Sequence, residues 1–300
     1  MNRSNNPHFS IVIPCYNEAN YLAATLDSIK NQTFKGDIEV IVVDNNCTDE
    51  TVQIAKKYNA RVIVEKNPGV CWARQAGTKA AKGEIVISTD ADTIFSKNWL
   101  VNINNTFEQN SRIVAVGGPC RYITGPWWGR VYTHFLFGSV YLMQYILGHP
   151  YYLSATNIAF KKSAWQGYNV NLPQAGDEVD FLHRLRKQGK VKFVYRNPTY
   201  TSGRRLEQGL IYNLFVTFFF YYLAAYYLNR MFNRKIIGPA PAFRKKPINI
   251  KAVFSSGLVS LYGVLLLVVV AIPYSRTFLK DNVHDTVSTI DKVKTEIRNR

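Results

Sequence analysis

Four short β-branched runs open the chain: FSIVIP (residues 9–14), IEVIVVD (38–44), RVIVEK (61–66) and EIVISTD (84–90). Each is followed by a stretch with helical polar periodicity, and strand–helix repetition at this spacing demands right-handed crossovers. The fold class it implies is α/β, a mostly parallel sheet with helices on both faces. Each run has a continuous apolar centre rather than an alternating pattern, as strands covered on both sides must have. After Gly117 the alternation loosens into an aromatic-rich segment around Trp127 and Trp128. Order returns at NIAFKKSAW (157–165) and with a helix starting near Glu178.

The strand ends carry the chemistry. In an open parallel sheet, ligands bind beyond the carboxyl ends of the strands. Here those ends hold PCYNE (14–18), DNNCTDE (44–50), NPGVCWAR (67–74) and DAD (90–92). Singly, each could be turn or helix-cap chemistry. Four polar clusters on one rim point instead to a ligand carrying negative charge and hydroxyls. Neither Gly-x-Gly-x-x-Gly nor a Gly-x4-Gly-Lys-[Ser/Thr] loop is present, so backbone amides are not the phosphate cradle. A divalent cation, Mn²⁺ or Mg²⁺, would take that role, and it would also let Asp90 and Asp92 stand one residue apart without repelling each other. Arg74 can add positive charge for a diphosphate, and Arg204 and Arg205 in TSGRRLEQG form a second candidate clamp.

The formal charge of +17 calls for an anionic partner. Four cysteines (Cys15, Cys47, Cys71 and Cys120) stand apart with no C-x-x-C pair, which argues against a zinc site or disulfide framework and fits a reducing compartment. The first ten residues lack the apolar core of a signal peptide, so the α/β domain is expected on the cytoplasmic side of the cell membrane. Residues 254–274 hold no charged residue over a length that can span a bilayer. Residues 210–228 are equally uncharged but crowded with Tyr and Phe, which favour the headgroup boundary. Between them, residues 229–251 carry seven Lys or Arg and no acid. A single span keeps that basic linker cytoplasmic, as the positive-inside tendency requires. The expected organisation is therefore a catalytic domain over 1–205, an interfacial aromatic helix and basic linker over 206–253, a membrane helix over 254–274 and an amphipathic tail over 275–300.

FSIVIPCYNE, VIVVDNNCTDET, NPGVCWARQAG and ISTDADT, in this order and spacing over residues 9 to about 205, resemble the motif series of family 2 glycosyltransferases. That resemblance implies the GT-A fold with its Asp-x-Asp signature, and an inverting transfer of a sugar from a nucleotide-sugar donor. By the same resemblance Pro14, Tyr16 and Glu18 line the nucleoside pocket, with Asn46 beside Asp44 and Asp44 on the base. Asp90 reaches ribose or metal, and Asp92 is the metal ligand. NIAFKKSAW is similar to the acceptor-side segment, and GDEVDFLHRLRKQG to the stretch bearing the catalytic base. The family's usual Glu-Asp order is reversed here to Asp177-Glu178; Glu178 takes the position of the base and Asp177 is the fallback. The expected partners are a nucleotide-sugar, a lipid-linked or membrane-presented acceptor and the membrane itself, not nucleic acid. A sugar-1-phosphate nucleotidyltransferase, or a non-catalytic membrane scaffold that binds nucleotide-sugar, are the alternatives. The first would normally place a glycine- and basic-rich loop where PCYNE stands.

Overall fold

The computed structural model describes residues 6–170, 176–232, 234 and 236–238, all within one compact unit. The expected membrane helix over 254–274 and the tail over 275–300 lie outside these residues. The four β-branched runs become β1 (Phe9–Cys15), β2 (Ile38–Asp44), β3 (Arg61–Val64) and β4 (Ile85–Ser88). The helices α1 (Ala19–Lys30), α2 (Thr51–Lys57) and α3 (Val70–Ala80) alternate with them. Next come β5 (Thr93–Phe95), α4 (Trp99–Glu108), β6 (Ile113–Gly117), β7 (Cys120–Tyr122) and α5 (Trp127–Leu147). The order closes with β8 (Ile158–Lys161), α6 (Gly176–Gln188), β9 (Lys190–Phe193) and β10 (Thr199–Thr201). A short 3₁₀ turn (Arg204–Gln208) then leads into a π-helical stretch (Tyr212–Ala224) that continues as α7 (Ala225–Met231).

The main sheet has seven strands in the order β3-β2-β1-β4-β8-β6-β9. Adjacent pairs are parallel except around β8, which runs antiparallel to both β4 and β6. The mostly parallel α/β architecture expected from the strand–helix alternation is therefore present. Both faces are covered, and the side-chain alternation of β1 shows how. Ile11 and Ile13 join Leu22, Leu26, Trp99 and Leu100 on the face of α1 and α4. Val12 joins Ala73, Phe137, Phe181 and Leu185 on the face of α3, α5 and α6. With every side chain of the strand but Pro14 buried, polar alternation has no open face to point to, hence the apolar centre of the run.

A second, smaller sheet of β5-β10-β7 sits at the end of β4. It matters because it brings chain from near residue 200 beside the Asp90–Asp92 turn: Thr201 pairs with Thr93, directly after Asp92. The aromatic segment after Gly117 folds as α5, where a helix was not expected. Its buried stripe is Gly129, Thr133, Phe137 and Val140, a small and a polar residue facing the core beside two apolar ones. Among the described residues, no helix is long and apolar enough to cross a membrane.

Candidate active site at the carboxyl edge of the sheet

β1 and β2 end together, Cys15 paired with Asp44, and the backbone N–H of Asn45 closes the edge on the Cys15 carbonyl at 2.9 Å. The loops that follow are tied to one another by side chains. The Asn17 side-chain oxygen accepts from the Thr48 N–H at 2.7 Å, and the Thr51 hydroxyl oxygen accepts from the Glu18 N–H at 2.8 Å. Asp49 accepts from the Ala19 N–H at 3.1 Å. Asn17 takes a positive φ of 54°, a conformation that asparagine tolerates better than most residues. Asn45, buried, donates to the carbonyls of Glu65 and Asn67 and accepts from the Gly69 N–H, which shapes the loop ahead of α3.

The Asp90-Ala91-Asp92 turn is held from several directions. Asp90 accepts from Arg74 of α3 at 3.1 Å and from the Thr156 hydroxyl at 2.7 Å. The Ala91 carbonyl accepts from Thr25 of α1 at 2.7 Å. Asp92 accepts from the Thr201 hydroxyl at 3.0 Å and pairs with Arg204 at 3.1 Å. Each aspartate thus has its own guanidinium, Arg74 for Asp90 and Arg204 for Asp92. The counter-charge the sequence assigns to a bound cation is supplied here by arginines.

Arg204 also makes a bidentate bond to Glu18, at 2.8 and 3.0 Å, and lies 4.6 Å from the Tyr21 ring centroid. Burial opposes its charge, but the hydrogen bonds to Glu18 and the field of Asp92 raise its pKa further above the normal arginine value. Burial is also the main force on Asp92, whose pKa is pushed up to about 6; Arg204 pulls it down, while Asp90 and Glu18 add to the rise.

Across the rim stands Glu178, on the first turn of α6. It accepts from the Tyr152 hydroxyl and from the Ala155 N–H, both at 2.8 Å. Leu153, Tyr168 and Phe181 line a small recess beside it. Ala155 and Thr156 are consecutive, so one short segment holds Glu178 with an amide and Asp90 with a hydroxyl. That segment is fixed in turn, because Thr89 donates to the Thr156 carbonyl at 2.9 Å. Asp177 opens the same helix, and Asp180 pairs with Arg184 at 2.7 Å along it.

The remaining residues singled out from the sequence fall on the same edge. Tyr16 is 44% exposed and Pro14 is half-buried at the end of β1. The Asp44 carboxylate accepts from the Cys47 N–H at 2.8 Å, closing the turn after β2. Asn46, with a φ of 67°, donates to the Lys66 carbonyl at 3.1 Å. Arg205 follows Arg204 in the 3₁₀ turn, and its carbonyl accepts from Asn213 at 3.3 Å. Glu18, assigned to the nucleoside pocket, is buried and turned to Arg204. Thr156, Thr201, Tyr152 and Tyr21 were missed, since a lone Thr or Tyr has no sequence signature.

Among the described residues, no three of His, Cys, Asp and Glu gather into a group that could enclose a metal by themselves. The donor set fits the other mode of holding Mg²⁺ or Mn²⁺, in which one or two carboxylates share the ion with substrate phosphates. Asp92 is a nearly buried carboxylate with Arg204 as its counter-charge at 3.1 Å, so an ion held there would share it with that guanidinium.

The chain is 35% identical to an uncharacterised glycosyltransferase of Mycobacterium bovis over 127 residues, 41% of this chain and 55% of the relative. It is 36% identical to a poly(ribitol-phosphate) beta-glucosyltransferase of Bacillus spizizenii over 116 residues, 36% of this chain and 18% of the relative. It therefore spans about half of the first relative's length and less of the second's. Among solved structures, Staphylococcus aureus TarS 1-349 in complex with UDP-GlcNAc superposes with a TM-score of 0.54 at 22% identity, covering 65% of this chain and 58% of that one. The mannosyltransferase PcManGT of Pyrobaculum calidifontis, solved with GDP-Man and Mn²⁺, gives 0.52 at 19% identity, with 66% and 58% covered. At these identities the two structures show a shared fold. Residues 10–168, more than half of the 300, match the family model "Glycosyl transferase family 2", and the chain belongs to that family.

Proposed function

We propose that this chain transfers a sugar from a nucleoside-diphosphate sugar, with inversion and dependence on a divalent ion, to a lipid-linked or membrane-presented acceptor. The observation that carries the reading is the pair of bonds from Ala155 and Thr156. They set Glu178 and Asp90 on one rigid segment, so an acceptor-side acid and the donor-side acids face one edge. The donor class is supported by the structures solved with UDP-GlcNAc and GDP-Man, and the Mn²⁺ in the latter supports the metal.

In this mechanism Asp92, with Asp90 beside it, would hold Mn²⁺ or Mg²⁺. When bound, such an ion supplies positive charge for the departing diphosphate. Arg204 and Arg74 stand at the same edge as further cations for that charge. Glu178, with Asp177 as the fallback, takes the proton of the acceptor hydroxyl as the sugar is displaced in line. Pro14, Tyr16 and Asp44 would bound the nucleoside.

The acceptor class rests on sequence: the uncharged stretch over 254–274, the basic linker before it, and the aromatic stretch 210–228 placed at the cytoplasmic headgroup level. The test is a donor-hydrolysis screen of the purified chain across nucleotide-sugars with Mn²⁺ and Mg²⁺. Hydrolysis of one donor, lost on chelation, is the expected result. No metal-dependent turnover of any nucleotide-sugar would leave the reading without support.

A further inference from the structure

The helix α5 keeps its largest side chains outside. Trp127, Val131, Phe135, Leu142, Tyr145 and Ile146 are all exposed, Phe135 by 75% and Tyr145 by 86%. Their spacing of three, four or seven residues, closed by adjacent Tyr145 and Ile146, gathers them in one sector opposite the buried stripe. No charged residue interrupts that sector. Such a continuous apolar stripe marks a contact surface, not ordinary surface scatter.

We infer that this face of α5 is a lipid-contact surface, which lays the catalytic domain on an anionic bilayer with the acceptor side of the site turned toward it. The mixture of Trp, Tyr and Phe with aliphatic side chains suits the headgroup–acyl boundary. Charge decides between a bilayer and a second copy of the chain. From Gln109 to Gly176, and again from Gln208 to Lys280, the chain holds Lys and Arg but no Asp or Glu. Arg130 of α5 is itself exposed. A second copy of a +17 chain would bring like charge to this face, whereas anionic lipid brings the opposite. Exposed apolar side chains recur after α5: Leu206 packs on the buried side of the helix at Gly129, and Leu210, Ile211 and Phe215 that follow it are exposed.

The buried face of the same helix reaches the site. Phe137 stacks on Tyr152 with ring centroids 6.2 Å apart, and Tyr152 donates to Glu178. The lipid-facing stripe therefore lies about one helix diameter, ~10 Å, from the layer that holds Glu178. An acceptor whose reacting group emerges at headgroup level would meet the site there. The acceptor side of the site is taken from the proposed function; the lipid contact of α5 itself does not rest on it.

The test reads lipid contact at α5 by itself. The full chain carries an environment-sensitive fluorophore on a cysteine at Phe135→Cys or Tyr145→Cys, with Asn105→Cys on exposed α4 as control, in phosphatidylglycerol–phosphatidylcholine vesicles. The expected result is a blue shift, quenching by doxyl-labelled lipid and loss of iodide quenching at 135 and 145, with none of these at 105. Absence of doxyl-lipid quenching at 135 and 145 overturns the inference, whichever way iodide behaves. Iodide access would leave the face in water, and iodide protection would give it to a protein partner, a second copy if protection grows with chain concentration. None of these readouts depends on turnover, so failure of the enzymatic reading leaves this one standing.

Discussion

Arg204 holds Glu18 with both of its terminal nitrogens across 186 residues of chain, and the same guanidinium reaches Asp92 at 3.1 Å. One cation thus ties the end of β1 to the end of β4. The two ways of breaking the tie are unequal. Arg204→Ala takes the shared cation from both Glu18 and Asp92, each nearly buried, and should cost about 3–5 kcal/mol. Glu18→Gln leaves Arg204 with Asp92 and Tyr21 and should cost only about 1–2 kcal/mol. Urea unfolding followed by tryptophan fluorescence checks the order. Equal losses would mean the Glu18 pair, rather than the shared cation, carries the stability.

Thiol chemistry tests the packing of the β1–β2 edge. Burial lifts the Cys47 thiol from 9.0 to about 11, against a lowering by the Asn17 N–H, with Asp44 adding to the rise. Only the thiolate is alkylated, so at pH 8 Cys47 should react about 100-fold more slowly than a free thiol, and its rate should climb until near pH 11. Cys15, Cys71 and Cys120 are buried and should stay unreacted until the chain unfolds. Iodoacetamide kinetics between pH 7 and 11, with the modified residue located by mass spectrometry, give the profile. A plateau already near pH 9 would contradict the burial of this edge.

The parts of the fold written in local pattern were legible, and the parts decided across the chain were not. The run over Ile38–Asp44 is a strand end to end, and its centre, Ile41–Val43, is buried, which calls for apolar residues in succession. The helix α5 escaped notice because its pattern is inverted. Gly129 and Thr133 face the core while Trp127 and Phe135 face out, so its periodicity does not read as a core-facing helix. The strands of the second sheet are three residues long, too short for a period of two to register. Nothing local says that β8 runs backward. At the site, the acids after β1, β2 and β4 were recognisable from type and order. Arg74 and Arg204 stood out as site arginines, but their pairing with these acids and the part of Thr201 did not, since Arg204 and Thr201 reach Asp92 only through the pairing of β10 with β5.

Removing the proposed metal ligand should separate folding from turnover. Asp92→Ala leaves Arg204 paired with Glu18 and leaves Asp90 with Arg74 and Thr156, so no charge is stranded. Far-UV circular dichroism and the unfolding midpoint should stay near those of the parent. Turnover with Mn²⁺ or Mg²⁺ should fall by several orders of magnitude, the loss of several kcal/mol of transition-state stabilisation. Undiminished activity of Asp92→Ala in the presence of EDTA would rule the role out.

Between the two acids that open α6, Glu178 should matter more. Glu178→Gln should slow transfer by about 10²- to 10⁴-fold, the usual contribution of a general base, and more than Asp177→Asn does. The amide would also put a donor near the Ala155 N–H, so a rate loss by itself does not separate positioning from proton transfer. Tyr152→Phe separates them. It removes one hydrogen bond that favours the charged carboxylate and leaves the Ala155 bond in place. If Glu178 is the base, the acid limb of the pH–rate profile for kcat/KM should move upward in Tyr152→Phe and vanish in Glu178→Gln. A limb at the same pH in all three proteins would take the proton transfer away from Glu178, to Asp177 or Asp180. Near-parental rates in both Glu178→Gln and Asp177→Asn would point to an acceptor already ionised, such as a lipid phosphate, for which the arginines rather than the acids set the rate.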